Sequence, residues 1–107
     1  MNPQPSWQHQ VRVEPDRRIV LISGEIDVNG ADHLLDLLSQ TINAAQRVDV
    51  DMSAVQFMDS TVIGALITAR NTATAAGRQL VVTNPSRTAR RVLGITGVLD
   101  ALSPTSA

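Results

Sequence analysis

Residues 48–64 read VDVDMSAVQFMDSTVIG, and their reading decides the fold. Val48, Val50 and Met52 alternate with Asp49 and Asp51, a period of two that predicts a strand with one apolar face. A sheet covered by helices on one face accounts for that alternation; a strand with open ends does so equally. Ser53 to Asp59 breaks the alternation and reads as the lead into a helix from about Ser60 to Ala76, with Asp59 as its N-cap. Ile63, Leu66 and Ile67 face inward on that helix, and the row Ala65, Ala69, Ala73 permits close approach to the sheet. Gly77 then ends it, in the position that favours a left-handed backbone.

Working outward, residues 9–14 and 18–23 read as two strands joined by the turn Pro15-Asp16-Arg17, an antiparallel hairpin. The second is apolar on both faces and is placed inside the sheet. Gly24-Glu25-Ile26-Asp27 reads as a loop. A helix follows from about Asn29 or Gly30 to Ala44, with Leu34, Leu35, Leu38, Ile42 and Ala45 on one stripe. Asn29 is its expected N-cap, and Asp32 is expected in its first turn. Gln79–Thr83 is the next strand. Asn84-Pro85-Ser86 opens a third helix to about Leu93, with Ser86 as N-cap and Gly94 as the stop. Residues 96–102 form a short last strand or a helical turn. The order β-β-α-β-α-β-α implies an α/β fold with parallel pairing and right-handed crossovers. Residues 1–8 are expected to be a flexible arm, 9–102 a single domain and 103–107 a tail.

Missing residue types narrow the chemistry. The 107 residues include no Cys and no Tyr, and all nine basic residues are Arg. Disulfides, thiolate zinc sites and Cys nucleophiles are therefore excluded. So are a Walker-A lysine and a Schiff base. No apolar run approaches the roughly 20 residues of a membrane span, and MNPQPSWQHQ lacks the basic start and apolar stretch of a secretory signal. The expected location is the cytoplasm. Residues 1–59 hold nine of the ten acids against four Arg, so the net charge of −1 hides an acidic first half.

Asp59-Ser60-Thr61 is the most informative candidate site. A Ser at the start of a helix exposes its hydroxyl where unpaired backbone N–H groups point outward. A phosphate there is expected to meet several donors and the positive end of the helix dipole, while adding about −1.5 to −2 charges. Ordinary capping explains the same three residues. Asp27, Asp51 and Asp59 follow or end successive strands; gathered at the carboxyl edge, they would suit magnesium and an enzyme. Loop and cap roles explain them too. His9 and His33 lack metal-ligand spacing, and Ser60 lacks the G-x-S-x-G setting of a hydrolase. Arg87, Arg90 and Arg91 make a basic stretch for an acidic partner or phosphate, or simply a solvated face. With only Trp7 and Phe57 as aromatics, nucleic acid is not the expected partner.

Asp51-Met52-Ser53, Val55, Phe57-Met58-Asp59-Ser60-Thr61 and Gly64 resemble the STAS domain of bacterial anti-sigma factor antagonists, which reads D-[LM]-S-x-V-x-F-[LMI]-D-S-[ST]-G-[LI]-[GR]. Gly24-Glu25-Ile26-Asp27 is similar to the family's G-E-[LI]-D block. Asn84-Pro85-Ser86, Val92-Leu93 and Thr96-Gly97-Val98 are similar to its N-P-x, [VI]-x and [TS]-G-[LV] block. All three lie in family order, over about Val11 to Leu102.

The resemblance implies a four- to five-stranded mixed, mostly parallel sheet with an N-terminal hairpin, flanked by three to four helices. It implies a binding module rather than an enzyme, without a cofactor or metal of its own. Its expected partner is an anti-sigma factor with serine kinase activity, which supplies the ATP. The unphosphorylated domain binds that partner and frees the sigma factor, in a stress response for example; phosphorylation blocks binding. Carried across, Ser60 matches the phosphoacceptor, Asp59 and Thr61 its neighbours, and Asp27 the acidic residue near the same surface. Val62 stands where the family usually has Gly, which lets a partner approach closely, so a branched side chain is expected to alter partner choice or slow phosphorylation. Gly64 is retained. The expected partner surface is thus Asp27, Asp59, Ser60, Thr61, Val62 and Gly64, on a domain that is monomeric alone. The alternative is a STAS module of another system: a stress-signalling scaffold, a transport ATPase partner, or a nucleotide- or lipid-binding regulator.

Overall fold

A computed structural model describes residues 6–95 and 97–103. Its elements run β1 (Trp7–Val13), β2 (Arg18–Ile26), α1 (Val28–Ile42), β3 (Arg47–Met58), α2 (Thr61–Ala75), β4 (Gln79–Thr83), α3 (Arg87–Ile95) and α4 (Leu99–Leu102). The sheet order is β1-β2-β3-β4. β1 and β2 form the antiparallel hairpin, while β2–β3 and β3–β4 are parallel. The sheet is therefore mixed and mostly parallel, with β2 internal. Of the stretch expected to be an arm, Trp7 and Gln8 already belong to β1; residues 1–5, Thr96 and 104–107 lie outside the described residues.

Val20, Ile22, Val48, Val50, Met52, Leu80 and Val82 share one core with Leu34, Leu38 and Ile42 of α1, and with Leu66, Ala69 and Ala73 of α2. Ala89, Leu93 and Leu102 bring α3 and α4 into the same core. On the opposite face Ile19, Leu21, Asp51, Val81 and Thr83 are only half-buried. The alternation at 48–52 thus reflects helices on one face of the sheet. The Ala row of α2 lets that helix sit close to the strands. Gly77 closes α2 in the left-handed region at φ 72°, with the Arg78 N–H bonded back to the Ala73 carbonyl.

A stretch expected to be loop and one expected to lead into a helix are both strand. β2 continues through Gly24 and Glu25 to Ile26, and β3 continues past Met52 to Met58. The β2–β3 register slips twice, between Leu21 and Ser23 and between Gly24 and Glu25, and each slip leaves one extra residue on β3. These bulges shift the buried positions from every second residue (Val48, Val50, Met52) to every third (Val55, Met58). The period-two signal therefore fails while the strand goes on. Gly24 sits at the second slip with φ 91°, and a Cβ there would collide with the Ser6 carbonyl oxygen and crowd the Trp7 Cα.

The start of α1 also differs. Asp27, not Asn29, is the N-cap, and Asp32 lies beyond the first turn. At the far end Ser86 caps α3, its Oγ accepting the Ala89 N–H at 3.1 Å. α3 runs through Gly94 to Ile95, and the last element is a helical turn rather than a strand. Asn84 adopts φ 48° after β4, a conformation Asn tolerates, and its side chain donates to Asp51 at 3.2 Å.

Asp49 is buried on the face away from the helices. It accepts from Arg17 at 2.9 Å and from Arg47 at 2.7 Å, tying the hairpin turn to the start of β3. Both guanidinium side chains keep about a third of their surface in water, so loss of Asp49 does not strand a fully buried cation. Asp49→Ala is expected to destabilise the fold by about 1–3 kcal/mol, below the range for a sealed ion pair. Urea unfolding measures this; an unchanged midpoint would show that the clamp contributes nothing.

Candidate functional site

The last paired residues of β2 and β3 are Ile26 and Met58. One residue beyond each stands an aspartate, and the Asp59 N–H donates to the Ile26 carbonyl at 2.9 Å. Asp27 and Asp59 are thereby set side by side, each at the start of the helix that follows. Asp27 Oδ1 accepts the N–H groups of Asn29 at 3.0 Å and Gly30 at 3.1 Å. Asp59 Oδ1 accepts the Thr61 N–H at 2.9 Å and the Thr61 hydroxyl at 2.8 Å.

Ser60 lies between Asp59 and the first residue of α2. Its backbone is already helical (φ −61°, ψ −21°), its side chain makes no capping bond, and it is exposed. The N-cap position is Ser60, one residue later than the sequence suggests, yet the side-chain oxygen that takes the Thr61 N–H belongs to Asp59, and this leaves the Ser60 hydroxyl free among the described residues. The Thr61 backbone and hydroxyl bonds hold the Asp59 carboxyl below its ordinary pKa. This cap therefore contributes above the ordinary carboxyl range and is lost as pH falls through the depressed value.

Three of the donors expected for a phosphate are taken. Thr61 N–H is on Asp59 Oδ1, Val62 N–H on the Asp59 carbonyl at 3.0 Å, and Ile63 N–H on the Ser60 carbonyl at 3.1 Å. A phosphate on Ser60 would meet a carboxylate at the helix start rather than a nest of free amides. The residue carrying the cap is the one that fills it.

Val62 is completely buried and belongs to the core. Its branched side chain points into the protein, so it does not meet a partner directly in the way the expected change of partner choice or of phosphorylation rate requires. Gly64 is the reverse: exposed, with nothing within 4 Å of an added Cβ. It lines a shallow groove of about 260 Å³ between α1 and α2, with Val28, Ala31, Asp32 and Leu35 on one side and Thr61, Ala65 and Thr68 on the other. Val28 at the start of α1 is 53% exposed, and Phe57, three residues before Ser60, is 47% exposed. Sequence reasoning missed both, together with Leu35 and Thr68 on the groove wall. Phe57 carried a signal: an aromatic beside Met58, out of phase with the buried positions.

Asp51 does not join the pair. It sits opposite Leu21, seven residues before the end of β3, about 20 Å along the strand. Partial burial pushes its pKa up, but the Ser53 backbone and side chain and Asn84 outweigh this and hold it below its ordinary value. The three aspartates therefore do not gather at one edge, and no group of three or more His, Asp or Glu among the described residues is arranged to hold a metal ion. His9 and His33 are exposed beside Trp7, around a separate concavity. Arg87, Arg90 and Arg91 are exposed on α3. No helix among the described residues is long and apolar enough to cross a membrane.

Comparison with known structures places this geometry. The anti-sigma factor antagonist SpoIIAA in its unphosphorylated form superposes with a TM-score of 0.77 at 20% identity, covering 92% of this chain and 90% of that one. The phosphorylated form of SpoIIAA, from Bacillus, superposes with 0.72 at 21% identity, covering 94% and 92%. An anti-sigma factor antagonist from Mycobacterium paratuberculosis gives 0.81 at 23% identity over 94% and 88%. A sulfate transporter family protein from Wolinella succinogenes gives 0.67 at 24% identity over 86% and 75%. At these identities the likeness is one of fold. The sequence profile of the STAS domain matches residues 8–107, nearly the whole chain. With the mixed four-stranded sheet and the helix start built on Asp59, this means that the chain belongs to the STAS domain family.

Proposed function

We propose that this chain is an anti-sigma factor antagonist. Unphosphorylated, it binds an anti-sigma factor that is also a serine kinase and so frees the sigma factor; phosphate on Ser60 blocks that binding. The observation that carries this reading is the Ser60 hydroxyl, exposed and unbonded at the start of α2, beside the groove where Gly64 leaves open space. It is supported by the STAS family match and by the fold shared with antagonists, one of which is known in unphosphorylated and phosphorylated forms. The partner is read as covering Asp27, Asp59, Ser60, Thr61 and Gly64, with Val28 and Phe57 as apolar flanks. In this reading the domain works in the cytoplasm, as a monomer until it meets the kinase, and needs no catalytic group of its own.

Electrostatics makes the switch steep. Phosphate adds about −1.5 to −2 charges beside Asp59, and the Thr61, Val62 and Ile63 amides that could neutralise them are already bonded. Burying that charge in an interface without a partner cation costs several kcal/mol, enough for more than about a hundredfold in affinity.

A second reading has one observation behind it, the fold shared with a sulfate transporter family protein. There the domain would be a regulatory or scaffold module of another assembly. Affinity capture from the source cell that returned a transport ATPase subunit in place of a sigma-regulatory kinase would favour it.

Titration calorimetry with the purified anti-sigma kinase is the test. Ser60-phosphorylated protein is expected to bind at least about a hundredfold more weakly than unmodified protein; equal affinities would contradict the proposal. Gly64→Phe is expected to weaken kinase binding at least about tenfold while leaving the urea midpoint unchanged or higher, because Gly is a poor helix residue and an added Cβ has nothing within 4 Å. Unimpaired binding by that variant would remove the groove from the interface.

A further inference from the structure

Two hydroxyls stand next to each other at the start of α2, both exposed, and only one is free. Ser60 Oγ makes no capping bond. Thr61 Oγ1 donates to Asp59 Oδ1 at 2.8 Å, and the Thr61 N–H reaches the same oxygen at 2.9 Å. Two bonds from one residue to one carboxylate oxygen close a small ring. The Thr61 side chain is then fixed in a single rotamer, turned back towards its own chain. A Thr in a helix otherwise divides between two rotamers.

We propose that Asp59 is the positioning residue that makes Ser60 the sole acceptor, by holding the neighbouring Thr61 hydroxyl out of the reaction; this rests on the reading of Ser60 as phosphoacceptor. Transfer requires the acceptor oxygen to turn a lone pair onto the γ-phosphorus of the nucleoside triphosphate held by the kinase. The new O–P bond forms, the bond from γ-phosphorus to the bridging oxygen breaks, the nucleoside diphosphate leaves, and the hydroxyl proton passes to a base of the kinase. Ser60 Oγ is free to rotate into that line. Thr61 Oγ1 has its proton directed at Asp59 and its side chain held by that bond, so the bond must break before the oxygen can turn and a kinase base can take the proton. Nor does Asp59 serve Thr61 as a base, since the bonds it accepts from Thr61 depress its proton affinity.

The experiment combines labelling with a rotamer measurement that needs no kinase. Purified anti-sigma kinase and ATP are added to four forms, and the phosphate is located by mass spectrometry. Wild type is expected to carry label on Ser60 alone. Ser60→Ala should fall at least about a hundredfold, with Thr61 still unlabelled. Adding Asp59→Ala to Ser60→Ala should raise Thr61 labelling at least about tenfold. Asp59→Asn in the same background should return it to the Ser60→Ala level, because the amide oxygen still accepts. In parallel, three-bond couplings to the Thr61 β proton should report one rotamer in wild type and Asp59→Asn, and averaging in Asp59→Ala.

Thr61 labelled in Ser60→Ala with Asp59 intact would overturn the proposal. A fixed Thr61 rotamer in Asp59→Ala would do the same, as would Thr61 left unlabelled once it is mobile. Wild type without label on Ser60 would instead reject the phosphoacceptor reading, and the couplings would still decide whether Asp59 holds Thr61.

Discussion

The pairing of β2 with β3 out to Ile26 and Met58, finished by the Asp59 N–H on the Ile26 carbonyl, is the constraint on which the rest depends. It brings the ends of two parallel strands level. Two aspartates then stand side by side, each capping the helix it precedes. α1 and α2 consequently start together and enclose a groove between them. Without that pairing, Ser60 would be a residue in a loop. With it, Ser60 is held at a fixed helix start, its backbone helical and its hydroxyl in water.

The cap also shapes the electrostatics. A helix start is commonly a place where an anion is welcomed by free amides and a favourable dipole. Here a carboxylate already occupies that position. A second negative group added one residue later gains little from its own chain. The structure therefore suits a surface whose charge can be altered while the fold beneath stays unchanged. The fully buried Val62 and the open Gly64 divide the labour within one turn, one anchoring α2 in the core and the other leaving space outside.

Much of this was legible in the sequence because it rests on local rules. The alternation at 48–52, the Asp59 cap, the Gly77 stop and the Ser86 cap each depend on a few adjacent residues. What escaped depends on pairing across strands. The two bulges of β3 are invisible in its own sequence, since the extra residues are defined only against β2; the alternation stopped at Met52 and the strand did not. The cap moved from Asn29 to Asp27 for the same reason, because β2 runs further than its apolar pattern. The place of Val62 near Ser60 suggests the surface, yet a helix carries each successive residue about 100° round, and that turn takes it into the core. That the Thr61 amide is taken by the Asp59 side chain depends on where that side chain turns, which residue types alone do not fix.

The most direct measurement of the central claim is where the proposed kinase partner lands. Titrating unlabelled anti-sigma kinase into ¹⁵N-labelled protein and following the amide signals maps the contact residue by residue. The account predicts the largest changes at residues 59–64, and along the groove at Val28, Leu35 and Thr68. Changes confined to the helix-free face of the sheet, around Leu21 and Asp51, with Ser60 and Gly64 undisturbed, would contradict it.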